Sequence, residues 1–271
     1  MDADPTENAP LPAPVTEALT VWLSRHDELA PGLIEGLYVV GSAVLDDWRP
    51  GSDVDVVAVT ADPPTDVDVV VLRRAADATA DDLAGSTTVD GPIVAWGDLA
   101  SPPLSAMRPW TLDGVFHFDG EGAEINPVTW YVLDRHGVAI RGPRTDALGL
   151  YVDERDRISW VVENADTYWR GVRGQLATVL ADDPSRTTFD ADVVEWCALG
   201  IARMLLTATT GDVASKTAAG EWTARRMPEH ADVLAEATAI RARHDPSEVV
   251  TRAVLDATLD LLDASLEILA A

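Results

Sequence analysis

The chain has a single cysteine, Cys197. That excludes an internal disulfide framework and a zinc site of clustered cysteines. Cys197 itself reads as a small buried apolar residue. The opening stretch MDADPTENAP is acidic and lacks a basic start and an apolar stretch, so no secretory signal is expected. No apolar run reads as long enough to span a membrane. The five histidines show no ligand spacing to one another. Lysine is nearly absent: of the 20 basic residues, Lys216 is the only lysine. Against them stand 46 Asp and Glu, for a net charge of -26. Such a chain repels nucleic acid and attracts cations, magnesium and polycationic small molecules among them. The acidity serves plain solubility equally well. A cytoplasmic monomer with no nucleic-acid or membrane partner is the simplest expectation.

What is present suffices for a sizeable core: 47% of 271 residues are hydrophobic, enough for two domains of ordinary size. Pro5, Pro10, Pro12 and Pro14 make the first 14 residues read as a frayed tail. A helix is expected from Val15 to Leu29, with Leu19, Trp22 and Leu23 on one face, ended by Pro31-Gly32. A short strand, Leu37 to Val40, stops at Gly41-Ser42, and about one helical turn fits within Ala43 to Trp48. Further strands are expected at Asp53 to Thr60, Pro92 to Trp96, Gly114 to Phe118 and Val138 to Ile140. Helices are expected at Pro64 to Leu83 and Pro127 to Asp134. From Asp153 onward no strand is expected. Amphipathic stretches at about 153–182, 190–210, 218–227, 230–244 and 246–270 read as a bundle of about five helices. The fold class is α+β, with a mixed-sheet domain over 1–150 and a helical domain over 151–271.

One stretch carries chemistry. Gly41-Ser42 is followed, after ten residues, by Asp53-Val54-Asp55. Residues i and i+2 of a strand share a face, so Asp53 and Asp55 can aim two carboxylates at one point. Carboxylates held that close repel unless a cation lies between them. Magnesium suits the pair, because it takes one or two carboxylates and completes its shell with water and phosphate. Gly41 lets backbone approach a phosphate, and Ser42 at the start of a helical turn can hold phosphate oxygens. An isolated D-x-D would be ordinary acidic surface; the spacing behind Gly-Ser is what singles this one out.

This pattern resembles the polymerase-β-type nucleotidyltransferase superfamily. The resemblance implies that Ser52, just before the first aspartate, also touches nucleotide phosphates, although a plain turn serine would look the same. It further implies a third carboxylate that binds a second metal or acts as general base. Asp90, Asp119 and Glu124 are the candidates, and Asp90 is preferred. Asp90-Gly91 also fits a plain turn, Asp119-Gly120 reads as a hairpin turn after Phe118, and Glu124 reads as a cap-region acid.

The helical half narrows the resemblance. Arg203, the run Ala208-Thr209-Thr210-Gly211, and Lys216 five residues later are similar to the C-terminal domain of streptomycin/spectinomycin adenylyltransferases. Trp222, Arg226 and Pro228 continue the likeness, as does Gly142-Pro143 weakly. The resemblance implies that Arg203 and Lys216 contact the ATP phosphates or the site around them, although an exposed surface lysine and an arginine that snorkels or pairs with a nearby acid would look the same. It also implies magnesium as cofactor, ATP as co-substrate and an aminoglycoside or aminocyclitol acceptor, with antibiotic resistance as the outcome. The family's F-G-E-W-like segment has no tryptophan at Val115 to Gly120 here; Trp110 lies nearby. Asp190, Asp192 and Glu195 could serve a cationic acceptor, or simply complement a helix dipole. Two other readings stay open: a nucleotidyltransferase acting on protein or RNA, and a non-catalytic nucleotide or drug binder.

Overall fold

The computed structural model describes residues 10–103, 107–119, 122 and 124–271. Its chain divides into two compact units between Asp153 and Glu154.

The first unit is built on six strands: β1 Gly36–Val39, β2 Val54–Thr60, β3 Val89–Ala95, β4 Trp110–Leu112, β5 Val115–His117 and β6 Val138–Arg141. They form one mixed sheet in the order β5-β4-β3-β2-β1-β6. Only β2 and β3 run parallel. The crossover between those two strands is the helix α2, Asp66–Leu83. Its start is fixed by a capping box: Thr65 Oγ1 accepts from the Asp68 N–H while the Asp68 carboxylate accepts from the Thr65 N–H. α1, Ala13–Leu29, lies beside it. Val15, Leu19 and Trp22 of α1 and Val69, Leu72 and Ala76 of α2 pack into one core with Val54, Val56 and Ala58 of β2 and Ile93 of β3. Burying side chains of this size contributes about 2 kcal/mol each. α3 spans Trp96–Leu99, and α4 spans Pro127–His136. Asn126 caps α4 by accepting from the Val128 and Thr129 N–H groups.

Two readings of this unit need correction. Pro92, taken as a strand start, lies inside β3, which begins at Val89 because Val54 and Val89 are already paired across the parallel ladder. β4 was not anticipated. Its three residues are too few to display an alternation.

The second unit holds α5 Glu154–Asn164, a π-helical segment Ala165–Trp169, α6 Arg170–Asp182, α7 Ala191–Thr210, α8 Lys216–Arg226, α9 Ala231–Arg243 and α10 Arg252–Leu269. α7 is the central helix, with Cys197, Leu199, Ile201, Ala202 and Leu205 fully buried. Gly200 gives the room: a Cβ there would stand 2.2 Å from the Trp169 ring. Contrary to the sequence reading, strands do occur here. β7 Thr188–Asp190 and β8 Val249–Thr251 form a two-stranded antiparallel ribbon. Consequently α10 begins at Arg252 rather than near 246. The membrane reading also needs amendment. By length and composition α7 is apolar enough to cross a bilayer, at a mean hydropathy of 1.3, but 61% of the stretch is buried inside the protein. Its apolar surface is taken up by the surrounding helices.

Candidate active site

The Gly-Ser segment follows directly on β1. The Val40 N–H donates to the Asp55 carbonyl at 2.9 Å, which ties the end of β1 to β2. Gly41 then opens a short 3-10 turn, Gly41–Val44, with φ at +67°. A Cβ at Gly41 would lie 1.8 Å from Asp55 Oδ2. The carboxylate therefore occupies the volume of the missing side chain, and glycine is required both by φ and by space. The Ser42 carbonyl accepts from the Leu45 and Asp47 N–H groups. Its hydroxyl, in contrast, is buried and has no partner. The turn is only four residues long, so what it offers an anion is this hydroxyl and local N–H groups rather than a helix dipole.

Asp53 immediately precedes β2 and is exposed; Asp55, inside it, is half-buried. Val54, Val56 and Ala58 face the α1/α2 core. Period two therefore turns Asp53 and Asp55 to the opposite face together. In the parallel ladder Asp90 is the register partner of Asp55. The Asp90 carboxyl is almost wholly buried. Thr88 Oγ1 donates to its Oδ2 at 2.6 Å and the Gly114 N–H to its Oδ1 at 2.9 Å. Burial pushes its pKa above the ordinary carboxylate value; the two donors oppose this, and the negative charges of Asp53 and Asp113 add to it.

Asp90-Gly91 is thus strand and not turn. Gly91 adopts φ +139°, with the Val56 carbonyl oxygen 1.9 Å from where its Cβ would stand. The tight hairpin turn is Asp113-Gly114, both left-handed, between β4 and β5. β5 ends at His117; of the Asp119-Gly120 turn expected after Phe118, Gly120 lies outside the described residues. Glu124 lies 3.5 Å from Thr129 Oγ1, and the capping of α4 belongs to Asn126. Ser52 belongs to a turn. Its N–H donates to the Arg49 carbonyl, its Oγ accepts from the Arg49 N–H at 3.3 Å, and its carbonyl accepts from Thr87 Oγ1.

Among the described residues no group of three or more His, Cys, Asp or Glu side chains is disposed to hold a metal ion. The oxygens present are the carboxylates of Asp53 and Asp55, with the Asp55 carboxylate against Gly41, and the buried hydroxyl of Ser42, the next residue. That set fits a hard cation that takes one or two carboxylates and draws its other ligands from water and phosphate.

In the second unit, Gly211 ends α7 in the left-handed conformation, and its carbonyl accepts from Arg157 Nε at 2.8 Å and from the same guanidinium's second nitrogen. Ser215 caps α8 by accepting from the Ala218 N–H, which makes Lys216 the first residue of that helix. Lys216 Nζ lies 3.0 Å from Glu195 Oε1, and Arg241 of α9 reaches the same oxygen at 3.1 Å. Arg203 of α7 has its Nε buried without a partner.

The acids grouped at the head of α7 part company. Asp190 ends β7 and Asp192 is exposed in the first turn, whereas Glu195 is held by two cations. Arg157 and Arg241 were not singled out from the sequence. Each meets its partner across a helix–helix packing, and no local pattern announces it. Pro143 of Gly142-Pro143 accepts from the Tyr38 hydroxyl at 3.0 Å, and Arg226 stacks on the Trp222 ring. Trp110 stacks on its cross-strand partner His117.

Comparison with known proteins bears on both units. Residues 23–90 match the family model of the nucleotidyltransferase domain, and residues 166–260 that of the aminoglycoside adenylyltransferase C-terminal domain. No curated protein matches the chain. Among solved structures it is similar to a spectinomycin adenyltransferase from Enterococcus faecialis, determined with ATP and spectinomycin. The match has a TM-score of 0.65 at 18% identity and covers 93% of this chain and 99% of that one, a likeness of fold. The chain is thus a nucleotidyltransferase by its first unit, and its second matches the C-terminal domain model of the aminoglycoside adenylyltransferases.

Proposed function

We propose that the protein transfers AMP from ATP to a hydroxyl of an aminoglycoside or aminocyclitol, with magnesium bound by Asp53 and Asp55. The observation that carries this reading is the Asp55 carboxylate seated against Gly41, next to a buried Ser42 hydroxyl that has no partner. A carboxylate pair beside an unsatisfied hydroxyl suits a metal-bound phosphate. When bound, magnesium neutralises phosphate charge and polarises the α-phosphorus. The chain's own residues do the rest. Ser42 and Ser52 hold phosphate oxygens in the first unit, and Arg203 and Lys216 do so in the second. Asp90 takes the proton of the acceptor hydroxyl as its oxygen attacks the α-phosphorus in line. The P–O bond to pyrophosphate breaks, and pyrophosphate leaves. Catalysis rests mainly on positioning and charge neutralisation. The neighbour solved with ATP and spectinomycin supports the substrate classes.

The test is pyrophosphate release from ATP and magnesium across a panel of aminoglycosides and aminocyclitols. Release with at least one drug, abolished by chelation of the metal and reduced to background by Asp53→Asn, is expected. No release with any drug, together with AMP labelling of a co-expressed protein, would sink the reading. Full activity in Asp53→Asn would sink the metal assignment.

A further inference from the structure

Asp90 is buried, and a buried carboxyl is held by the hydrogen bonds it makes. It makes one at each oxygen: Thr88 Oγ1 donates to Oδ2 at 2.6 Å and the Gly114 N–H to Oδ1 at 2.9 Å. The two donors differ in origin. The Gly114 N–H is main chain, in the hairpin turn between β4 and β5. The Thr88 donor is a side chain, two residues before Asp90 on the approach to β3. One bond alone would leave the carboxyl free to pivot about the bonded oxygen. Two bonds to different oxygens fix its plane. Each oxygen has a second lone pair, so a carboxyl held in this way can still take a proton.

Thr88 is itself fastened to the stretch that carries the aspartate pair. Its carbonyl accepts from the Val54 N–H at 2.9 Å, and Val54 stands between Asp53 and Asp55. Beside it, Thr87 Oγ1 donates to the Ser52 carbonyl at 2.8 Å. The main chain and side chain of one residue thus connect Asp53-Val54-Asp55 to the Asp90 carboxyl.

We propose that Thr88 is a positioning residue for the transfer step, whose hydroxyl aims the Asp90 carboxylate at the acceptor hydroxyl. This rests on the reading of Asp90 as general base. Thr88 touches no reacting atom and acts through Asp90 alone. Loss of its hydroxyl therefore falls on the chemical step. In that step the acceptor O–H bond breaks, its proton passes to Asp90, and its electron pair forms the bond to phosphorus. The binding of ATP is left as it was.

The experiment measures kcat and KM for ATP on the full chain at fixed magnesium, with the drug of the panel that supports the fastest pyrophosphate release. Thr88→Val, of similar shape but without the donor, is expected to lower kcat about tenfold or more and to leave KM for ATP within about twofold. Thr88→Ser, which keeps the hydroxyl, is expected to stay within about threefold of the parent. Thr88→Ala serves where Thr88→Val does not fold. In an Asp90→Asn background, Thr88→Val is expected to cost no further kcat, because the group it aims is gone. An unchanged kcat in Thr88→Val, a Thr88→Ser variant as slow as Thr88→Val, a KM raised as far as kcat is lowered, or a further loss in the Asp90→Asn background each overturns the proposal. Asp90→Asn by itself separates the two readings. If it is slow while Thr88→Val is not, only the role of Thr88 falls. If it keeps full activity, the base reading falls and takes this proposal with it.

Discussion

Asp90 has its two oxygens held by Thr88 and the Gly114 N–H, yet burial still raises its pKa. Two consequences follow with opposite signs. As a base it must be ionised, so kcat/KM should rise with pH along a limb lying above the ordinary aspartate value of about 3.9. Asp90→Asn should lose about a hundredfold or more in kcat, and with it that limb, in a pH–rate profile. Stability runs the other way. A carboxyl whose folded pKa is raised contributes fully below its unfolded pKa, and the contribution is lost as pH rises through the folded pKa. Asn can still accept from the Gly114 N–H. Asp90→Asn should therefore gain in melting temperature relative to the parent at pH 8 and not at pH 4. A loss of stability at both pH values would mean that the ionised form is well accommodated. At this scale much was legible in advance. Gly41, Asp53 and Asp55 could be read because the i, i+2 rule and one glycine link sequence directly to geometry. The partners of Glu195 were not legible, because they come from elements 21 and 46 residues away.

Among elements, legibility followed length. α1, α2, α4 and the long helices of the second unit carry enough turns to display an apolar stripe or a cap, and were expected within a few residues. β4, β7 and β8 have three residues each and owe their existence to pairing, which no local pattern encodes. The π-helical segment was hidden for another reason. It continues α5 into α6, so the sequence reads as one amphipathic stretch. Its last residue, Trp169, packs on Gly200 of α7, where any side chain would enter the ring. Gly200→Ala should accordingly cost about 1–3 kcal/mol from overpacking, even though alanine favours helix by close to 1 kcal/mol. Urea unfolding followed by tryptophan fluorescence measures the net. A more stable variant would show that the ring has room to move.

For the molecule as a whole, the net charge of -26 sets a field that draws cations toward every part of the surface. A polycationic acceptor should be collected by that field, so raising salt from low to near-molar levels should lower its kcat/KM about tenfold and leave kcat nearly unchanged. A salt-independent kcat/KM would mean that steering plays no part. The same composition has a further consequence. Apart from the α-amine, the ammonium that Glu195 holds belongs to the one lysine of the chain. Reagents that acylate or alkylate ε-amines, elsewhere indiscriminate, have a single side-chain target here. A chemical label or an affinity tether aimed at lysine would report on the head of α8, the α-amine being the other amine it could reach.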